Sequence, residues 1–245
     1  MAGSIHIGTS GWHYKHWLGV FYPEELPAKD MLKFYSRHFN TVEINNSFYH
    51  LPGIATFEQW RLTTPKEFLF AVKGSRFITH MKKLKDPEDS TEKFFAGAKR
   101  LGPKLGPVLF QLPPRWHLNI ERLAEFMAVL PRDQQYAFEF RDESWHVREV
   151  YNVLRRHNAA FCIFDLSGKE TPHEITADFT YVRFHGPGEA RYAGSYPSHA
   201  LENWAQRLKA WGRDLRDVYI YFNNDVGGHA IKNAQALREL LLMKK

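Results

Sequence analysis

The chain has 245 residues, 44% hydrophobic and 24% charged, with a single cysteine, Cys162. That composition excludes wholesale disorder, and one thiol excludes a disulfide framework, a zinc finger or an iron–sulfur cluster built by this chain alone. Lys and Arg total 33 against 27 Asp and Glu, and the net charge of +6 permits an anionic partner without demanding one.

Strand-like and helix-like segments alternate along the chain. Ile5–Thr9 reads as a strand, and Pro27–Phe39 as a helix with Met31, Leu32, Phe34 and Tyr35 at helical spacing. Thr41–Asn45 is a strand, Thr56–Thr63 a helix opened by a threonine cap, and Phe68–Lys73 a strand. Asp89–Leu101 is a helix that begins Asp-Ser-Thr-Glu, an N-terminal signal. Strands Pro107–Leu112 and Tyr136–Arg141 are followed by helices Asn119–Leu130 and Glu149–His157. Strand Ala160–Asp165 leads into Leu166–Asp178, which lacks a helical pattern. Thr180–His185 is a strand, Ser198–Leu215 a helix, Tyr219–Asn223 a strand and Ala230–Leu242 the closing helix.

Strands alternating with helices imply a parallel sheet. Eight such units over 1–245 predict the α/β class and a single-domain (β/α)₈ TIM-like barrel, irregular after the sixth strand. No glycine-rich dinucleotide motif opens a strand–helix turn, and no cofactor is expected. No segment approaches the roughly 18 uninterrupted apolar residues of a membrane span. The Met1-Ala2-Gly3-Ser4 start lacks a signal core, so a cytoplasmic protein without membrane contact is expected.

The strands turn polar at their C-terminal ends, where barrel enzymes keep their active sites. On the fifth strand Ala137, Glu139 and Arg141 share one face and Tyr136, Phe138 and Phe140 the other. The aromatic faces are expected to meet the helices. The polar faces would then bring Glu43, Lys73, Gln111, Glu139, Arg141, Asp165, Arg183 and His185 together, with Asn45, Asn223 and Asn224 at neighbouring strand ends. Glu43 and Glu139 are candidates for general acid and base, because neighbouring charges tune two carboxylates apart. Lys73, Arg141 and Arg183 would bind an anion and offset developing charge, while Asp165 and His185 orient or relay protons. Asn45, Gln111, Asn223 and Asn224 would hold polar substrate groups, and Trp12 and Trp145 would line the binding wall. Lys73 as a Schiff-base lysine ranks lower, because nearby carboxylates keep it protonated. The bland reading of each charge is an architectural ion pair, and it weakens for the ring as a whole, since burying many charges is costly.

A metal site is not expected, since cations crowd the strand ends and His185 alone of 13 histidines sits at one. The glycine-rich loops 186–196 and 224–229 suit an anion, with Arg191 and Tyr192 as donors. The third loop carries Lys73, Arg76, Lys82, Lys83 and Lys85 with Phe77 and His80, a run that can track a polynucleotide or simply be solvated.

The chain resembles the YecE-like family, domain of unknown function 72. The resemblance rests on Gly8-Thr9-Ser10-Gly11-Trp12, Phe21-Tyr22-Pro23, Phe39-Asn40-Thr41-Val42-Glu43-Ile44-Asn45, Phe48-Tyr49 and Phe70-Ala71-Val72-Lys73 with Thr79-His80. It continues through Gln111-Leu112-Pro113-Pro114, Glu139-Phe140-Arg141, Ser144-Trp145, Tyr181-Val182-Arg183-Phe184-His185-Gly186 and Tyr221-Phe222-Asn223-Asn224-Asp225. The resemblance implies a TIM-like barrel and no settled reaction. Barrel-shape similarity to endonuclease IV and sugar isomerases invites a nucleic-acid reading by analogy alone. The expected function is acid–base chemistry, as a hydrolase or lyase, on an anionic substrate bearing phosphate, with nucleotides or nucleic acid included. The alternatives are a non-catalytic nucleic-acid-binding protein, a metal-dependent phosphodiesterase like endonuclease IV, or a metabolite sensor.

Overall fold

In the computed structural model, which describes residues 3–189 and 192–243, strands and helices alternate from end to end. The chain forms two compact units from non-contiguous stretches. Unit 1 takes in Met1–Glu43, Ile163–His173 and Asp178–Lys245, and unit 2 takes in Ile44–Cys162 and Glu174–Ala177.

Unit 1 holds strands β1 (Ser4–Thr9), most of β2 (Thr41–Ile44) and the second half of β6 (Ala160–Leu166). It also holds β7 (Lys169–Glu170), β8 (Phe179–Phe184) and β9 (Asp217–Phe222). β9 lies between β1 and β8, parallel to both, with Thr9 and Phe184 each opposite Phe222. β6, β8 and β9 are buried over nearly their whole length, as strands covered on both faces are. Helices α1 (Met31–Tyr35), α7 (Ser198–Asp214) and α8 (His229–Leu242) belong to this unit, and Trp204 of α7 meets Phe184 edge-on at 4.9 Å.

The aromatic-outward expectation holds at Phe184 and fails at Tyr181 of β8 and Tyr221 of β9. Tyr181 lies two residues before Arg183 and so on its face, while Tyr221 stands opposite Arg183 in register. Both rings keep to the polar face because their hydroxyls have partners there. Tyr181 donates to Glu43 Oε2 at 2.6 Å, and the Tyr221 hydroxyl lies 2.7 Å from Thr41 Oγ1.

Unit 2 holds α2 (Asn46–Tyr49), α3 (Ile54–Thr63), β3 (Leu69–Lys73), a π-helical turn at Phe77–Met81 and α4 (Glu88–Ala98). It continues with β4 (Leu105–Leu112), α5 (Ile120–Val129), β5 (Tyr136–Phe140), α6 (Arg148–Arg156) and the start of β6. β4 pairs in parallel with β3 and β5, and β5 with β6. Here aromatics do face helices: Phe138 of β5 meets Phe126 of α5, and Phe70 of β3 lies over Trp60 of α3.

The connection after β6 is irregular, as expected. β7 turns back antiparallel on β6 with Leu166 opposite Lys169. Ser167 and Gly168 both have positive φ, 54° and 74°, the geometry of a two-residue type I′ hairpin turn. Three expected elements differ. The helix over 27–39 shrinks to α1 behind a 3₁₀ turn at Ala28–Asp30, with no side-chain cap to start it earlier. α3 starts at Ile54 behind Gly53, so Thr56 lies inside it rather than capping it. In α4 the Ser90 and Thr91 hydroxyls donate back to the Pro87 carbonyl, so the Asp-Ser-Thr-Glu run fills the first turn instead of capping it.

Candidate functional site

In unit 1 the site is built around Glu43, the residue of β2 that bridges to Ser10 at the end of β1. Its carboxylate is fully buried and receives three bonds: Oε1 from Ser10 Oγ (2.6 Å) and Arg183 Nη2 (2.7 Å), Oε2 from Tyr181 (2.6 Å). Arg183 also has no exposed surface, and its Nη1 lies 3.4 Å from His185 Nε2. An arginine can only donate, so in this contact the ring nitrogen is the acceptor. The Asn223 amide sits 3.1 Å from His185 Nδ1. Four expected site residues, Glu43, Arg183, His185 and Asn223, thus form one connected network.

Asp165, Asn224 and Tyr192 stand at the loops beside this network. Asp165 Oδ1 accepts from Tyr196 at 3.0 Å, and the Tyr196 oxygen accepts from the Gly186 amide at 3.0 Å. Burial pushes the Asp165 carboxyl above its ordinary range, while the Tyr196 bond pulls it back. Asn224, fully buried, donates to Gly194 O and to Asn233 Oδ1, both at 2.9 Å. It ties the loop after β8 to the loop after β9. Tyr192 is partly exposed, with φ 65°, and its ring lies edge-on to His185 at 5.7 Å. Arg191 falls outside the described residues. Trp12 is buried, and its carbonyl accepts from Tyr22 at 2.5 Å.

Unit 2 carries a separate cluster. Lys73 ends β3, nearly buried, with Nζ 4.3 Å above the centroid of the Phe48 ring, a cation–π contact. Ser47 Oγ donates to the Lys73 carbonyl at 2.6 Å and so fixes α2 against the strand end. The His80 ring stands edge-on to Phe48 at 5.0 Å, and its Nδ1 lies 2.9 Å from Thr79 Oγ1. Burial first, then the charges of Lys73, Arg76 and Arg141, push His80 down to about 4. Its imidazole is therefore neutral at pH 7, in a field of three cations.

Glu139 is fully buried, forms an ion pair with Arg141 and receives the Cys162 thiol at 3.8 Å. Gln111 lies opposite Glu139 in the β4–β5 register. Asn45 is half-buried just before α2. Trp145 has no exposed surface: its ring stacks on Phe140 at 5.0 Å and its Nε1 donates to Trp116 O at 2.6 Å, so it belongs to the core of unit 2.

Among the residues of these clusters that escaped the sequence reading as site residues are Ser10, Phe48, Arg76, His80, Tyr181 and Tyr196. Arg76 and His80 had a signal, since both lie in the acid-free third loop. Tyr181 read as an ordinary aromatic of a buried strand. Among the described residues, no group of three or more His, Cys, Asp or Glu could hold a metal ion. No helix among them is long and apolar enough to cross a membrane.

The family model described as protein of unknown function DUF72 matches residues 6–245. The chain is 30% identical to the UPF0759 protein YunF of Bacillus subtilis, over 97% of this chain and 94% of that protein. It is 32% identical to the UPF0759 protein YecE of Escherichia coli, over 84% of this chain and 82% of that one. The crystal structure of a DUF72 family protein from Thermotoga maritima superposes with a TM-score of 0.88 at 30% identity, covering 98% of this chain and all of the other. A DUF72 family protein from Enterococcus faecalis shares the fold with a TM-score of 0.86 at 19% identity, covering 98% of this chain and 96% of that one. The fold is the α/β TIM-like barrel expected from the strand–helix alternation.

Proposed function

The chain belongs to the DUF72 family, and we propose that within it this protein is a cytoplasmic enzyme acting on an anionic, phosphate-bearing substrate by acid–base chemistry. One observation carries the proposal: a neutral imidazole, His80, lies in the field of Lys73, Arg76 and Arg141. Burial contributes most to that depression and the three cations add to it, and cations gathered around one imidazole suit a phosphoryl group. A bound dianion offsets the part of the depression that the cations cause and raises His80 toward the range in which an imidazole exchanges protons near neutral pH. The substrate would thus prepare the group that acts on it. Glu139 is assigned to hold Arg141. No step of the proposal runs through a metal ion.

In unit 1 the same class of chemistry is supported by the imidazole of His185, set between Arg183 and Asn223. With three donors already on its carboxylate, Glu43 is assigned to position Arg183. Asp165 and Asn224 are assigned to hold the loops beside His185.

The test is calorimetric titration with inorganic phosphate and with mononucleotides. We expect Arg141→Met and Lys73→Met to weaken binding tenfold or more, about 1.4 kcal/mol each. Unchanged affinity in both variants would sink the proposal. A second reading, non-catalytic nucleic-acid binding, is favoured by one observation: Phe77 and Met81 are exposed beside the Lys82–Lys85 run. It predicts affinity for short DNA or RNA that falls steeply with salt and depends on Lys82, Lys83 and Lys85 rather than on His80.

A further inference from the structure

We propose that the cavity between the π-helical turn and helix α4 binds a small apolar monocarboxylate, at a place distinct from the cation cluster around His80. The cavity measures about 270 Å³, just below the usual range for small-molecule sites. Its walls are apolar: Leu51, Phe77, Ile78 and Phe94. Ile78 and Phe94 are fully buried and form the floor. Leu51 and Phe77 are 41% and 46% exposed at its edge, where a ligand in the cavity would cover them.

The polar lining is Ser75, Lys82, Asp89, Ser90 and Lys93. Two ammonium groups against one carboxylate leave one positive charge to match, so the complement is a monoanion. Lys93 has no ion-pair partner among the described residues, and Lys82 donates to the Asp86 carbonyl at 3.1 Å. Asp89 lies in the first turn of α4, where a carboxylate is held by the helix end. Ser90 Oγ donates to the Pro87 carbonyl, whereas Ser75 Oγ accepts from the Phe77 amide and keeps its proton to donate. An apolar body against Leu51, Phe77 and Phe94 and a carboxylate between Lys82, Lys93 and Ser75 satisfy this lining. A phosphate dianion would leave the apolar walls uncovered and exceed the available charge. The segment is also unusual in backbone: a π-helical turn is followed by Lys83, Leu84 and Asp86 at φ 48°, 63° and 41°. Such strained stretches gather at ligand sites.

The experiment is an NMR titration of the full chain with benzoate, reading the methyl groups of Leu51 and Ile78. We expect saturable shifts there, binding about fivefold or more weaker for the uncharged benzamide and for Lys93→Met, and loss in Leu51→Trp, which narrows the opening. Saturating inorganic phosphate should leave the Ile78 shift in place. No saturable shift at Ile78 up to about 10 mM benzoate would overturn the proposal, as would equal binding of benzamide. Shifts centred on His80 and erased by phosphate would also overturn it, since they would mark benzoate as an adventitious anion at the cation cluster.

Discussion

His80 ties the charge of unit 2 to its stability. Its imidazole has an ordinary value of 6.5 and is held near 4 in the folded chain. Between those values the unfolded chain binds the proton and the folded chain does not, so the stability of the wild-type protein falls as pH drops through that window. Above about 6.5 the contribution is complete. Chemical denaturation at a series of pH values should therefore show a shallower loss for His80→Gln than for wild type over that interval, and parallel curves would reject the assignment. Glu43 acts on stability through its buried ion pair. Its removal leaves the Arg183 guanidinium buried without its carboxylate, and a broken buried pair costs about 3–5 kcal/mol. Tyr181→Phe removes one of the three donors and should cost only about 1–2 kcal/mol. Denaturant midpoints of Glu43→Gln and Tyr181→Phe test that order. Among single residues, the polar strand ends were legible in the sequence because charges inside apolar runs stand out. Tyr181 and Phe48 were not, because nothing in a run of aromatics tells which ring faces a carboxylate or an ammonium.

At the scale of elements, helix ends were read well where a side chain makes the cap and poorly where it does not. Asn119 accepts from the Arg122 amide and starts α5 at Ile120, within one residue of the expected start. Asn119→Ala should lower stability by about 1 kcal/mol. The end of α3 is closed by a residue far along the chain, which no local pattern discloses. Lys104 Nζ donates to Arg61 O at 2.6 Å, Thr64 O at 2.7 Å and Thr64 Oγ1 at 3.1 Å. A cation on those carbonyls also opposes the helix dipole. Lys104→Met strips the carbonyls of their donor while keeping the stem, and should cost about 2–3 kcal/mol in thermal or urea denaturation. The π-helical turn was invisible for a related reason: a single turn of altered spacing leaves too few residues to set a period. The hairpin after β6 was legible as a missing helix, and Ser167-Gly168 supplies the left-handed pair that closes it.

For the whole chain, the alternation of strand and helix carried the fold class because it repeats and does not depend on any one boundary. Errors of a few residues at Pro27, Thr56 or Asp89 leave the count of βα units unchanged. Side-chain direction was less secure. The rule that aromatics meet helices holds at Phe70 and Phe138 and fails at Tyr181 and Tyr221, where a hydroxyl converts a ring into a partner for polar neighbours. Of the chain's cations, Lys73 and Arg76 of the third loop and Arg141 after β5 act on His80.

As proposed above, Lys73, Arg76 and Arg141 form a receptor for a phosphoryl group whose binding readies the His80 imidazole. Titration of the His80 ring by NMR, with and without saturating inorganic phosphate, tests it most directly. We predict a value near 4 for the free protein, moving up toward the ordinary histidine range with phosphate bound and staying low with chloride at matched ionic strength. A His80 titration that phosphate leaves unmoved would contradict the claim.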